Sequence, residues 1–157
     1  MHRFLAFSHS PHAFDFEAAL SARHAQHPVI VHFPIALFFA SAFFEVLAIW
    51  RKQPIFASVA YYNLLGAALT VPLALVSGLG AWRWQLEGAV LKGNLELHLI
   101  SALASASLIL ILWWMRYRLR VHSSSPGMVY MAVTVCALMA ITLTGHLGGI
   151  VSGVEMP

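Results

Sequence analysis

Residues 27–50 read HPVIVHFPIALFFASAFFEVLAIW. Apart from two histidines at its front and Glu45 near its end, the stretch is apolar or small throughout, and it exceeds the roughly 20 residues an α-helix needs to cross a bilayer's hydrocarbon core. It reads as a membrane span entered through imidazoles, with Pro28 suited to a first helical turn and Pro34 expected to leave the Ile30 carbonyl unpaired and to bend the helix so that His32 faces inward.

Working outward from this span, four apolar segments stand out at about 29–50, 55–82, 95–115 and 127–150. The links at 51–54, 83–94 and 116–126 are short, so consecutive helices are expected to be antiparallel neighbours. The fold class is therefore all-α, an integral membrane up-down four-helix bundle. Residues 27–154 form its single domain, and 1–26 form a polar tail in which FDFEAALSARHAQ is a candidate interfacial helix. The apolar start of MHRFLAF is too short for a signal peptide, so the first span is expected to direct its own insertion. No internal repeat is visible.

Composition agrees with this reading: of 157 residues, 60% are hydrophobic and 10% charged, against roughly 25% charged in soluble domains. The nine Lys and Arg residues behind the +3 charge are scattered and not gathered on one face, which argues against nucleic acid as a partner. The single cysteine, Cys136, excludes an intrachain disulfide and a cysteine zinc knuckle, and it reads as a small core residue.

Cations set the expected orientation. Arg51 and Lys52 flank the first link and Arg116, Arg118 and Arg120 the third, while Arg83 and Lys92 in the second are offset by Glu87 and Glu96. The positive-inside rule then puts links one and three in the cytoplasm and both termini outside. Aromatic residues near the proposed helix ends, among them Trp50, Trp82, Trp84, Trp114 and Tyr117, read as interface anchors.

Of nine histidines, His2, His9, His12 and His24 lie in the tail and His122 in the third link. The other four fall at one depth. His27 and His32 open the first helix, His98 lies a turn into the third, and His146 lies near the end of the fourth, so antiparallel packing brings His32, His98 and His146 together near the outer face with His27 just above them. Imidazoles within apolar spans mark functional sites. Small residues accompany them: Ser101, Ala102 and Ser105 follow His98, and Gly145 and Gly149 frame His146 in a G-x-x-x-G. Such stripes are also ordinary packing devices in membrane bundles, or they can admit a flat macrocycle whose iron takes an imidazole.

Three or four histidines without a thiolate suit copper or zinc, and an opposed pair suits a b-type haem, one or two per chain. With no C-x-x-C-H motif, covalent haem attachment is excluded. Arg83, between Trp82 and Trp84, is a candidate for haem propionates or an interfacial cation. Glu45 is expected to find a partner on the second helix, such as Asn63 or Thr70, or to serve a proton- or quinone-linked role.

The opening HPVIVHFPI, the histidine of ELHLISA and the closing GHLGGIVSGV together resemble the bacterial predicted membrane protein family called domain of unknown function 2231. The resemblance covers about residues 27–154. It implies a four-span bundle, places His27, His32, His98 and His146 on the family's histidine positions, and associates the chain with redox modules such as Rieske or cytochrome c domains; Glu45 stands where the family often has Asp. The resulting expectation is a non-enzymatic electron-transfer subunit of a bacterial inner membrane, working between quinone or other membrane redox subunits and an outer-face carrier such as a cytochrome c. A copper- or zinc-binding membrane protein and a non-redox accessory subunit of a respiratory or photosynthetic complex are the rival expectations.

Overall fold

The computed structural model describes residues 23–84, 86–121 and 125–153, with side chains from residue 26 onward. Four helices fill it: α1 (Arg23–Arg51), α2 (Pro54–Trp84), α3 (Asn94–Val121) and α4 (Met128–Val151). All four are long and apolar enough to cross a membrane. At 1.5 Å per residue, helices of 24 to 31 residues are about 36–46 Å long, more than a hydrocarbon core requires. The candidate interfacial helix falls mostly on residues outside the described ones; its last residues, from Arg23, belong to α1.

α1 runs unbroken through both prolines. The helix turns back after Arg51 through Lys52, whose φ of 52° lies in the left-handed region. At the other end of α2, Leu86 N–H donates to the Ala81 carbonyl, Gly88 N–H to that of Trp82, and Trp82 Nε1 to the Ala89 carbonyl. This closes the helix by satisfying carbonyls that would lack partners. Gly88, at φ 68°, adopts the backbone this turn demands.

Packing divides the bundle into two hairpins. α1 packs extensively on α2, and α3 on α4; α2 meets α3 less closely, and α1 only brushes α4. Phe38, Leu64 and Leu112 are fully buried at the centre. Ser41 Oγ donates to the Ala60 carbonyl at 2.9 Å within the first hairpin. Thr144 Oγ1 donates to the Ala140 carbonyl, so Ser105 donates to Thr144 Oγ1 at 3.0 Å within the second.

The two hairpins bury residues in one register. On α1 the buried positions are Pro34, Phe38, Ser41 and Glu45; on α3, where Ser101 and Ala106 are buried as well, Ser105, Ile109, Leu112 and Arg116 lie each 71 residues further on. On α2, beside Ala68, they are Ala60, Leu64, Ala67 and Val71; on α4, beside Leu147, Tyr130, Thr134, Ala137 and Ile141 lie each 70 further on. A repeat thus exists in burial that is absent in residue identity. It relates the halves as parallel repeats about an axis along the membrane normal.

Two sequence expectations are corrected. Cys136 is exposed on the outside of α4 and is not a core residue; α4 is apolar all round, so hydropathy cannot separate its inner face from its lipid face. Arg116 is buried, not a surface cation flanking the third link. The exposed basic residues at that end of the bundle are Arg51, Lys52, Arg118 and Arg120. Three of them lie over aromatic rings, Arg51 on Trp50 at 4.7 Å, Arg120 on Tyr61 at 4.5 Å and Arg118 on Trp114 at 6.0 Å, the cation–aromatic belt of a membrane interface.

Candidate functional site

The N-terminal end of α1, the C-terminal end of α2, the N-terminal end of α3 and the C-terminal end of α4 share one side of the bundle, and the intramembrane histidines sit there. Their side chains divide into two groups. His27 and His98 are half-buried, while His32 and His146 are exposed. The expected convergence of His32, His98 and His146 gives way to a pair, His27 with His98. Helical geometry explains this: five residues past His27, His32 has rotated 500°, which is 140° from His27's direction; His146, two residues before Gly148, is turned 200° from it. His32 therefore donates its Nδ1–H to the Pro28 carbonyl one turn back and does not face the bundle.

His27 and His98 occupy equivalent places, 71 residues apart, and lie within electrostatic reach of each other. Each ring rests on a glycine of its hairpin partner. A Cβ on Gly78 would stand 3.1 Å from His27 Cε1, and one on Gly148 would stand 3.1 Å from His98 Cε1. Only a residue without a side chain lets an imidazole lie this close to the helix.

The hydrogen bonds bear on the tautomers. Ser77 Oγ lies 2.8 Å from both the Ala74 carbonyl and His27 Nδ1; with its proton on the carbonyl it accepts from His27, an arrangement that satisfies all three groups. The Thr144 carbonyl has no proton to give, so His98 Nδ1, at 3.1 Å, is likewise the donor. His98 thus carries a proton on Nδ1, and in the fully satisfied arrangement His27 does too, which leaves Nε2 of each neutral ring with its lone pair. That is the arrangement of a metal-ligating imidazole, with the distal N–H tied to an acceptor that orients the ring. Among the described residues, no three His, Cys, Asp or Glu side chains gather closely enough to hold a metal ion. The donor set is two imidazoles, fewer than the four ligands of a structural zinc site.

The other predicted residues lie around this pair or away from it. Gly145 is exposed, and a Cβ there would meet nothing within 4 Å; Gly149 is partly buried in the next turn. Of the glycines near His146, the one that touches an imidazole is Gly148. Arg83 is exposed at the end of α2 on the histidine side, with its Nη1 4.0 Å from where a Cβ of Gly88 would stand.

Glu45 lies at the opposite end, and its partner comes from a helix the sequence did not suggest. Arg116 Nε donates to Glu45 Oε2 at 3.1 Å, with the two residues 7% and 3% exposed. Asn63 and Thr70 turn back on α2 instead, to the Val59 carbonyl and to those of Gly66 and Ala67. Tyr130, also buried, is within electrostatic reach of both charges. The 18-residue interval from His98 to Arg116 equals that from His27 to Glu45 and was the available signal: it is five turns, so each charge falls on the face of its histidine.

The family model of the predicted membrane protein DUF2231 matches residues 23–154, all four helices. The chain belongs to the DUF2231 family. No curated protein and no solved structure matches it.

In this DUF2231 protein the two glycines beneath the imidazoles have a measurable role. Gly78→Leu and Gly148→Leu force a branched side chain against a ring already in contact, and each is expected to lower stability by about 1–3 kcal/mol, the usual cost of overpacking. Gly145→Leu points into open space and is expected to leave the melting temperature unchanged. Thermal unfolding of the three variants in detergent checks the contrast.

Proposed function

We propose that this protein is a membrane electron-transfer subunit in which His27 and His98 hold one b-type haem near the outer face. The observation that supports the reading is the pair itself: two half-buried imidazoles from equivalent positions, each tied through Nδ1, to Ser77 Oγ and to the Thr144 carbonyl, which leaves Nε2 as the ligating nitrogen. Bound between them, the haem would supply one-electron redox chemistry. The chain's own part is to orient the rings, through Ser77 and the Thr144 carbonyl, and to surround the site with apolar helix. Arg83, on the same side, is placed for a propionate. Four exposed cations, Arg51, Lys52, Arg118 and Arg120, stand at one end against Arg23, Arg83 and Lys92 at the histidine end, where Glu87 and Glu96 offset them, and this balance favours an inner-membrane orientation with the histidines outside. Electrons would then pass between a quinone or membrane partner and an outer carrier such as a cytochrome c. The chain contributes no catalysis of its own.

A reduced-minus-oxidised spectrum of protein purified from haem-replete cells tests this. An α-band with stoichiometric haem is the expected result; a featureless difference spectrum overturns it, and copper or zinc found by elemental analysis in its place would move the pair to metal handling. A second reading has its own observation: each ring also fills a glycine notch, which would suit a purely structural subunit of a larger complex. Ser77→Ala separates the two. It leaves the His27 proton without its acceptor, and loss of such a partner lowers ligand affinity about 10–100-fold. Haem retention during washing should fall accordingly under the first reading, with the melting temperature of haem-free protein little changed.

A further inference from the structure

The burial repeat sets Glu45 and Arg116 on equivalent positions of the two hairpins, as it does His27 and His98. The histidines are alike across the axis. The charges are opposite, and they pair with each other. We infer that the chain is built as two joined hairpin modules whose buried positions share one register, and that the Glu45–Arg116 pair is a recognition element that makes each hairpin accept the other half of its own chain and refuse a copy of itself.

The argument runs from packing. Since the inward positions of α1–α2 and α3–α4 share one register, an α1–α2 hairpin could meet a second α1–α2 hairpin from another chain in the same way, as an isologous two-fold contact. Most of the inward residues are small or apolar: Ala60, Leu64, Ala67 and Val71 on α2, and Ala137 and Ile141 on α4 beside Tyr130 and Thr134. Shape separates the hairpins where Tyr130 stands for Ala60, but the remaining apolar surface discriminates weakly. Charge does discriminate. A homotypic pair of first hairpins would set Glu45 against Glu45, and one of second hairpins Arg116 against Arg116, like charges facing in a water-free interior. Only the heterotypic pair neutralises both. The remaining contacts between hairpins, α2 with α3 and the slight one of α1 with α4, are less extensive than those within each hairpin, so a single cross-axis pair carries weight in choosing the partner. This inference stands whatever the histidines hold.

Four full-length variants test it. Glu45→Arg and Arg116→Glu each place like charges across the axis and are expected to give less than about a tenth of the wild-type yield of monodisperse protein. The reversed pair, E45R/R116E, restores at least about half of it, because the attraction is kept with its direction changed. E45M/R116M removes the discrimination without leaving a lone charge. It is expected to fold, since buried ion pairs are replaceable by apolar residues, and two differently tagged copies expressed together should then co-purify several-fold more than two wild-type copies do. Single reversals that accumulate like wild type, a reversed pair no better than the singles, or a methionine pair that exchanges no more than wild type would each overturn the inference.

Discussion

His27→Gly and His98→Gly are each expected to abolish the α-band of the reduced protein, while His32→Ala and His146→Ala preserve it. The contrast follows from where the rings point. His27 and His98 are the two half-buried imidazoles with Nε2 bare and Nδ1 anchored, by Ser77 and by the Thr144 carbonyl. Losing either leaves iron with one protein ligand, and haem content should fall below about a tenth, beyond the loss caused by removing a mere orienting partner. His32 and His146 face outward, so their removal changes the surface. Added imidazole supplies the check on specificity: it should restore a low-spin spectrum to the glycine variants by entering the space the ring vacated. Restoration would not follow if the histidines acted only as packing. Loss of the band in His32→Ala or His146→Ala, with His27→Gly unaffected, would assign the ligands to the exterior pair instead.

Arg116→Ala is expected to cost about 3–5 kcal/mol, the penalty of stranding a buried charge. Glu45 is then left 3% exposed in an apolar interior without the guanidinium that faces it at 3.1 Å. Glu45→Ala strands Arg116 in the same way. The double substitution should cost less than the sum of the two, because the second change removes the charge that the first exposed. Arg118→Ala, two residues on but exposed, should stay within about 0.5 kcal/mol of wild type. Equilibrium unfolding in mixed micelles measures all four. Equal, small effects of Arg116→Ala and Arg118→Ala would contradict the buried pair.

The helices were legible in the sequence because a span is a matter of length and hydropathy, and both are local. Depth was legible too: counting along antiparallel spans puts His27, His32, His98 and His146 on one side. Direction was not. A membrane helix is apolar toward lipid and toward core alike, so α2 and α4 offer no polar stripe from which to orient a wheel, and Cys136 was assigned inward on that account. Arg116 was taken for an interface cation because it stands among Arg118 and Arg120; only the 18-residue interval separated it from them. The repeat was hidden for a related reason. Its members share burial and not chemistry: Pro34 matches Ser105, Ala60 matches Tyr130, and Leu64 matches Thr134. What is held in common is the angular position of each residue, which residue identity does not carry. The tautomers of His27 and His98 lay further still from the sequence, since they depend on a hydroxyl and a carbonyl whose own hydrogen bonds are set by the fold.

Five turns, about 27 Å of helix, separate the histidine pair from the ion pair. The Glu45–Arg116 layer is shielded by the helices that bury it, at 3% and 7% exposure, so lipid meets the apolar outer faces of the bundle there and not the charges. Polarity that would be costly against acyl chains is thus carried inside the protein. With helices of 24 to 31 residues, the fold is expected to tolerate a change of a few ångströms in bilayer thickness with little loss of stability.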